Sequence, residues 1–130
     1  MTDKRSLTPD NQKILKLCCT ALDGTKAENL AILDVREQSS ITNFIILATA
    51  NSHPHLKALK RDLDAILKEH NIMIIGSDEG DFSGWSVVDA FDVMIHLFTP
   101  ETRENYSLET LWKDAAPIGT KEFIPAPPER

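Results

Sequence analysis

Apolar residues along this chain recur in two periods, one helical and one of strands, and the switches between them lay out the elements. Thr8 and Pro9 are placed as N-cap and first helical residue. Ile14, Leu17, Cys18, Ala21 and Leu22 follow at helical spacing, and Gly24 is expected as the left-handed residue that ends the helix. Leu30 to Val35 reads as a strand and Arg36 to Ser40 as a polar turn. Phe44 to Ala48 is apolar at every position, as in a strand covered on both faces. Ser52 to His70 carries the clearest helical stripe, Leu56, Leu59, Leu63, Ile66 and Leu67. Lys57, Lys60, Arg61, Asp64 and Lys68 lie mostly off that stripe, and Pro54 falls in the first turn, where a proline is tolerated. Ile72 to Ile75 reads as the next strand, so this strand–helix–strand unit predicts a parallel pair.

Gly76 to Gly84 is a loop with glycines and acids. Trp85 to Asp89 and Val93 to Phe98 are strands whose connection, Ala90-Phe91-Asp92, is short enough to demand an antiparallel hairpin. Thr99-Pro100 starts a helical turn. Ser107 can cap a last helix carrying Leu108, Leu111, Trp112 and Ala115, with Tyr106 and Leu111 as a hydrophobic staple. From Pro117 onward four prolines and no apolar period predict a flexible tail. The expectation is one α/β domain over residues 1–116, a mixed sheet of about five strands with flanking helices, followed by a tail over 117–130.

Charge changes this picture more than composition does. The net charge is −6, and residues 71–116 hold nine acids against two bases, so that stretch alone carries −7. No basic face of the kind that displaces counterions from nucleic acid stands out, although Lys57, Lys60 and Arg61 form a small cluster. An acidic third is most simply a solvated surface, and it also fits a basic protein partner. No apolar run reaches the ~20 residues of a membrane-spanning helix, and Met1 to Thr8 has no apolar signal core. The adjacent Cys18 and Cys19 form no useful disulfide framework, which points to a reducing cytoplasm.

Candidate chemistry is sparse. His53 and His55 lack any accompanying metal-ligand spacing and fit a capping or exposed pair. His96 fits a core histidine with a hydrogen-bond partner. Cys18 and Cys19 lie inside a helix, away from an N-terminus that would favour thiolate. Gly76-Ser77 followed by acidic strands has the outline of a nucleotidyltransferase, whose two carboxylates share metal from one strand face at i and i+2. Here Asp89 and Asp92 stand at i and i+3 across a turn, so that metal site is not formed, and no Walker or Rossmann glycine pattern occurs. No cofactor is implied. Trp85, Tyr106 and Trp112 remain as either core or binding aromatics.

Several separate motifs carry a family likeness. Leu33-Asp34-Val35 with Ser39-Ser40-Ile41-Thr42-Asn43-Phe44 resembles the L-D-V…S-S-I-T-D-Y/F motif of the ribosomal silencing factors, the RsfS/Iojap family. Thr49, Ser52, His55 and Lys57 match that family's T-G-x-S-x-x-H-x-K pattern at the start of a helix. Trp85, Asp89, Asp92, Val93 and His96 match its strand pair, and Glu101, Arg103, Tyr106, Leu108, Glu109, Leu111, Trp112, Asp114 and Ala115 match its ending. The likeness runs from about residue 10 to 116. It implies a nucleotidyltransferase-like fold without the active site. It also implies a non-enzymatic translation repressor that binds the large-subunit ribosomal protein fourteen, blocks association with the small subunit, and is often a homodimer. The partner-binding residues it implies are Trp85, Asp89, Asp92, His96, Glu101, Arg103, Tyr106, Leu108, Glu109 and Trp112. A nucleotidyltransferase-like enzyme or a large-subunit assembly factor are the alternatives. Three positions depart from the pattern: Ala50 and Phe91 replace family glycines, and Pro54 replaces an Arg or Gln.

Overall fold

A computed structural model describes residues 9–36, 42–78, 85–90, 92–102 and 116–118, with the backbone alone for 76–78 and 116–118. The elements are α1 (Pro9–Gly24), β1 (Glu28–Asp34), β2 (Phe44–Thr49), α2 (His53–Glu69), β3 (Gly76–Asp78), β4 (Trp85–Asp89), β5 (Val93–Phe98) and β6 (Ala116–Ile118). The strands form one mixed sheet in the order β3-β4-β5-β2-β1-β6. Only β2 and β5 pair in parallel; the other neighbours are antiparallel.

Alternation along the strands divides the core into two layers. On one face Ile32, Phe44, Ile46, Ala48, Val88, Ile95 and Leu97 meet Leu15, Cys18 and Leu22 of α1 and Leu59, Leu63 and Leu67 of α2. The alternate residues Leu33, Ile45, Leu47 and Phe98, together with Val35, form a second cluster on the other face. All six residues of β2 are buried, as its unbroken apolar run predicts. Burying each leucine of the α2 stripe contributes ~1.5–3 kcal/mol, which holds that helix on the sheet.

Helices α1 and α2 end in the same way. Ala27 N–H donates to Leu22 O and Lys26 N–H to Asp23 O, with Lys26 left-handed at φ 65°. Ile72 N–H donates to Leu67 O and Asn71 N–H to Lys68 O, with Asn71 at φ 59°. These are Schellman closures, and each brings an apolar residue back onto the core. Gly24 is therefore not the left-handed residue expected from the sequence: it stays in α1, and Lys26 takes that conformation two residues later.

Three further expectations are corrected. Ile72 to Ile75 is not a strand; the strand comes at Gly76–Asp78 and pairs with β4, so the parallel partner of β2 is β5. The chain leaves the α2 closure irregularly and joins the sheet only where Ile75 N–H reaches Asp89 O, at 2.7 Å. Among the described residues the sheet has six strands because Ala116–Ile118 adds an edge to β1, so Pro117 and Ile118 belong to it and not to a tail. Proline fits an edge strand, where an N–H on the open side has no partner to serve. Residues 119–130, the last helix expected from Ser107, and Phe91 lie outside the described residues.

Candidate functional site

The hairpin of β4 and β5 places Trp85 opposite Phe98 and Val87 opposite His96. Trp85, His96 and Phe98 consequently share the sheet face that looks away from α1 and α2. Trp85 packs at 5.3 Å on Phe98 and 5.9 Å from His96, and the His96 and Phe98 rings stack at 6.0 Å. The indole N–H of Trp85 donates to Nδ1 of His96 at 3.1 Å. That bond requires an unprotonated Nδ1, so the imidazole proton belongs on Nε2. Burial lowers the His96 pKa to about 4, which keeps the ring neutral at physiological pH. Phe98 is fully buried and Trp85 only partly, so the indole is an accessible aromatic on a fixed base.

The described candidate residues fall into two groups. Trp85 and His96 are brought together, and exposed Glu101 follows on the helical turn after β5. Asp89 shares the face of Trp85 but lies at the far end of β4, ~13 Å away at strand rise. Asp92 belongs to that end too, and it fastens the loop into β2. Its main-chain oxygen accepts from the N–H groups of Asn43 and Phe44, and its carboxylate accepts from Asn43 Nδ2 at 3.2 Å. Arg103, Tyr106, Leu108, Glu109 and Trp112 lie outside the described residues. Sequence reasoning missed Phe98 as the floor under Trp85; its position two residues after His96 on one strand was the available signal.

The other motif residues act as fasteners. Asp34 takes a bidentate contact from Arg36, at 2.9 and 2.6 Å, and the Arg36 guanidinium lies over Phe44 at 5.2 Å. His55 links the two helices: its Nδ1 accepts from Asn51 N–H at 2.9 Å, and its Nε2 donates to Thr25 O at 2.6 Å. Thr25 in turn donates its hydroxyl to Asp62. His55 is thus a helix staple and not a metal ligand. Among the described residues no group of His, Cys, Asp or Glu is arranged to hold a metal ion. Cys18 and Cys19 are fully buried. Burial, then the neighbouring Cys19, raises the Cys18 pKa; burial, then Asp23, pushes Cys19 up to about 12. Neither is a nucleophile near neutral pH.

Asp92→Ala is expected to cost ~1–2 kcal/mol of stability, because it leaves the Asn43 amide without its acceptor. Urea titration checks this, and an unchanged midpoint would remove Asp92 from its fastening role.

The family model described as "Ribosomal silencing factor during starvation" matches residues 8–130. The chain belongs to this family. A ribosomal silencing factor of Chromobacterium violaceum is 35% identical over 106 residues, covering 82% of this chain and 87% of that protein. A crystal structure of a Chromobacterium violaceum protein superposes with a TM-score of 0.76 at 33% identity, over 86% of this chain and 96% of that one. A mouse protein named "Mitochondrial assembly of ribosomal large subunit protein 1" is 32% identical over 92 residues, 66% of this chain and 39% of that protein. The family match continues through 117–130, beyond the end of the motif likeness. Two of this silencing factor's departures have a structural account. Ala50 is fully buried with its N–H on Phe98 O, so a methyl is accommodated there, and Pro54 sits exposed in the first turn of α2.

Proposed function

We propose that this silencing factor binds ribosomal protein fourteen of the large subunit and, by covering that face, keeps the small subunit from joining and represses translation. The observation that carries this reading is Trp85, a partly exposed indole held from beneath by Phe98 and from the side by His96. Rigid aromatics of this kind anchor protein interfaces. The −7 carried by residues 71–116 adds complementarity to a basic ribosomal protein. Arg103, Tyr106, Leu108, Glu109 and Trp112 complete the proposed contact with Glu101, Asp89 and Asp92. The protein acts in the cytoplasm, without a cofactor and without catalysis. The engagement of Asp92 with Asn43 and the buried thiols support the last point. No described helix is long and apolar enough to cross a membrane. The mouse relative's printed name favours a second reading, a role in assembling the large subunit.

Sedimentation with purified large subunits, with and without small subunits, tests both readings. The protein should pellet with large subunits and reduce the joined fraction when small subunits are added. Pelleting without any effect on joining would favour the assembly role, and failure to pellet would overturn both. Raising salt to ~0.5 M, where the Debye length shrinks to a few ångströms, should weaken the pelleting if acidic steering operates. Salt-independent affinity would remove that component. Added nucleoside triphosphate and Mg²⁺ should give no transfer product; transfer abolished in Asp92→Asn would overturn the non-enzymatic reading.

A further inference from the structure

Helix α2 separates its charges by face. At ~100° per residue, His53, Lys57, Lys60, Arg61, Asp64 and Lys68 fall within one stripe ~100° wide, beside the buried leucines. Asp62 and Glu69 lie on the far side, and Asp62 is turned to α1, where it accepts from Thr25. The stripe therefore holds four cations and one carboxylate. Lys60 is 13% exposed and bonds Asp64 at 2.8 Å, so this pair neutralises itself inside the stripe. Lys57, Arg61 and Lys68 project to solvent. The contact of Arg61 with Asp62, 3.5 Å long and exposed on both sides, holds Arg61 only weakly.

This stripe lines a furrow. One depression of about 420 Å³ is walled by His53, Leu56, Lys57, Lys60, Arg61, Asp64 and Ser86. A second, about 480 Å³, continues from Lys60 and Asp64 to Lys68 and the apolar Ile72, Met73 and Ile74. The two share Lys60 and Asp64, so the furrow runs with the helix for ~22 Å at ~1.5 Å per residue. Ser86 faces this side of the sheet while Trp85, beside it, faces the other.

We propose that this furrow binds the phosphodiester backbone of RNA without reading its sequence. Cations spaced by one to two helical turns along a line fit a linear, evenly charged polymer. The apolar side chains are unevenly placed: Leu56 is the one in the first depression, where Lys57 and Arg61 stand, while Ile72, Met73 and Ile74 line the second. The proposal rests on the large-subunit reading, since such a surface presents RNA beside its proteins. The net charge of −6 keeps the contact weak in isolation. Once the chain is tethered through a protein contact, an effective concentration in the ~mM range makes it count.

The test uses a labelled RNA duplex of arbitrary sequence and the full chain, read by fluorescence anisotropy, beside large-subunit pelleting. The variant Lys57→Gln/Arg61→Gln/Lys68→Gln spares the Lys60–Asp64 pair, and its three positions are exposed. The wild-type chain should bind the duplex at ~50 mM salt with a log–log salt slope of about −2 to −3, near −0.9 per phosphate. The triple variant should lose about tenfold or more in affinity, with its slope falling by about 2 to 3. It should also pellet more weakly with large subunits. Absence of duplex binding, equal binding by the variant, or equal displacement by poly-glutamate would overturn the proposal, the last in favour of an acidic protein partner. A chain that pellets normally but ignores the duplex overturns the RNA contact alone. A chain that binds the duplex but never pellets overturns the large-subunit reading alone.

Discussion

Trp85→Ala is expected to weaken binding to large ribosomal subunits by roughly 30- to 700-fold, a loss of ~2–4 kcal/mol, while the protein stays folded. The size follows from the setting. The ring rests on Phe98, which is fully buried, and its N–H is tied to a buried imidazole, so little side-chain entropy remains to be lost on docking. Its partial exposure leaves an edge for a partner. A core tryptophan would behave differently: truncation would cost ~3–5 kcal/mol of stability and leave nothing to bind with. Pelleting and circular dichroism melting on the same sample separate the two. A collapsed melt would assign Trp85 to the core, and normal pelleting with a normal melt would remove it from the interface. Trp85→Phe keeps an aromatic on Phe98 but loses the bond to His96, so it should fall between wild type and alanine in affinity.

The pairing beneath this prediction was present in the sequence but not legible as a site. A short hairpin sets Trp85 against Phe98, which puts His96 two residues back on the same face. The register depends on the turn at residues 90–92, and alternation alone does not say which residues stand opposite. The long helix and the fully apolar β2 were legible because their periods are strong and their burial complete. Ile72 to Ile75 misled because it has strand composition and even strand alternation: Ile72 and Ile74 pack on the core while Met73 and Ile75 are exposed at 77% and 55%. What it lacks is a neighbouring ladder, and no single segment carries that information. Lys26 shows the same limit. A left-handed residue is expected to be glycine, but two converging closure bonds hold a lysine there instead. The basic furrow was only half legible: Lys57, Lys60 and Arg61 stood out as a small cluster, but residues 31–70 sum to zero. Only the helical period separates Lys57, Arg61 and Lys68 from Asp62 and Glu69.

Stability should fall by up to roughly 3 kcal/mol as pH drops from about 6.5 to about 4, and His96 should account for the fall. The ordinary histidine value is near 6.5, and burial lowers that of His96 to about 4 in the folded protein. Between those values the unfolded chain binds a proton at this position and the folded chain does not. Acid therefore favours the unfolded state, and the stabilisation present above pH 6.5 drains away until the folded protein also takes up the proton near pH 4. The geometry gives the same sign: a protonated Nδ1 cannot accept from the Trp85 indole, and two N–H groups would then face each other at 3.1 Å. Urea titrations across this range check the slope, and fluorescence of a Trp112→Phe variant, whose one tryptophan is Trp85, follows the loss of the indole contact. His96→Asn removes the titrating group, so its stability should change less between pH 6.5 and 5, a window above the ordinary carboxylate range. Equal slopes for the two proteins would show that His96 is not the source. Because the same bond orients the proposed anchor, large-subunit binding by the folded protein should weaken only where His96 itself titrates, well below the pH at which the unfolded chain begins to protonate. Weakening already complete at pH 6 would detach the anchor from His96 and assign the effect to groups on the partner.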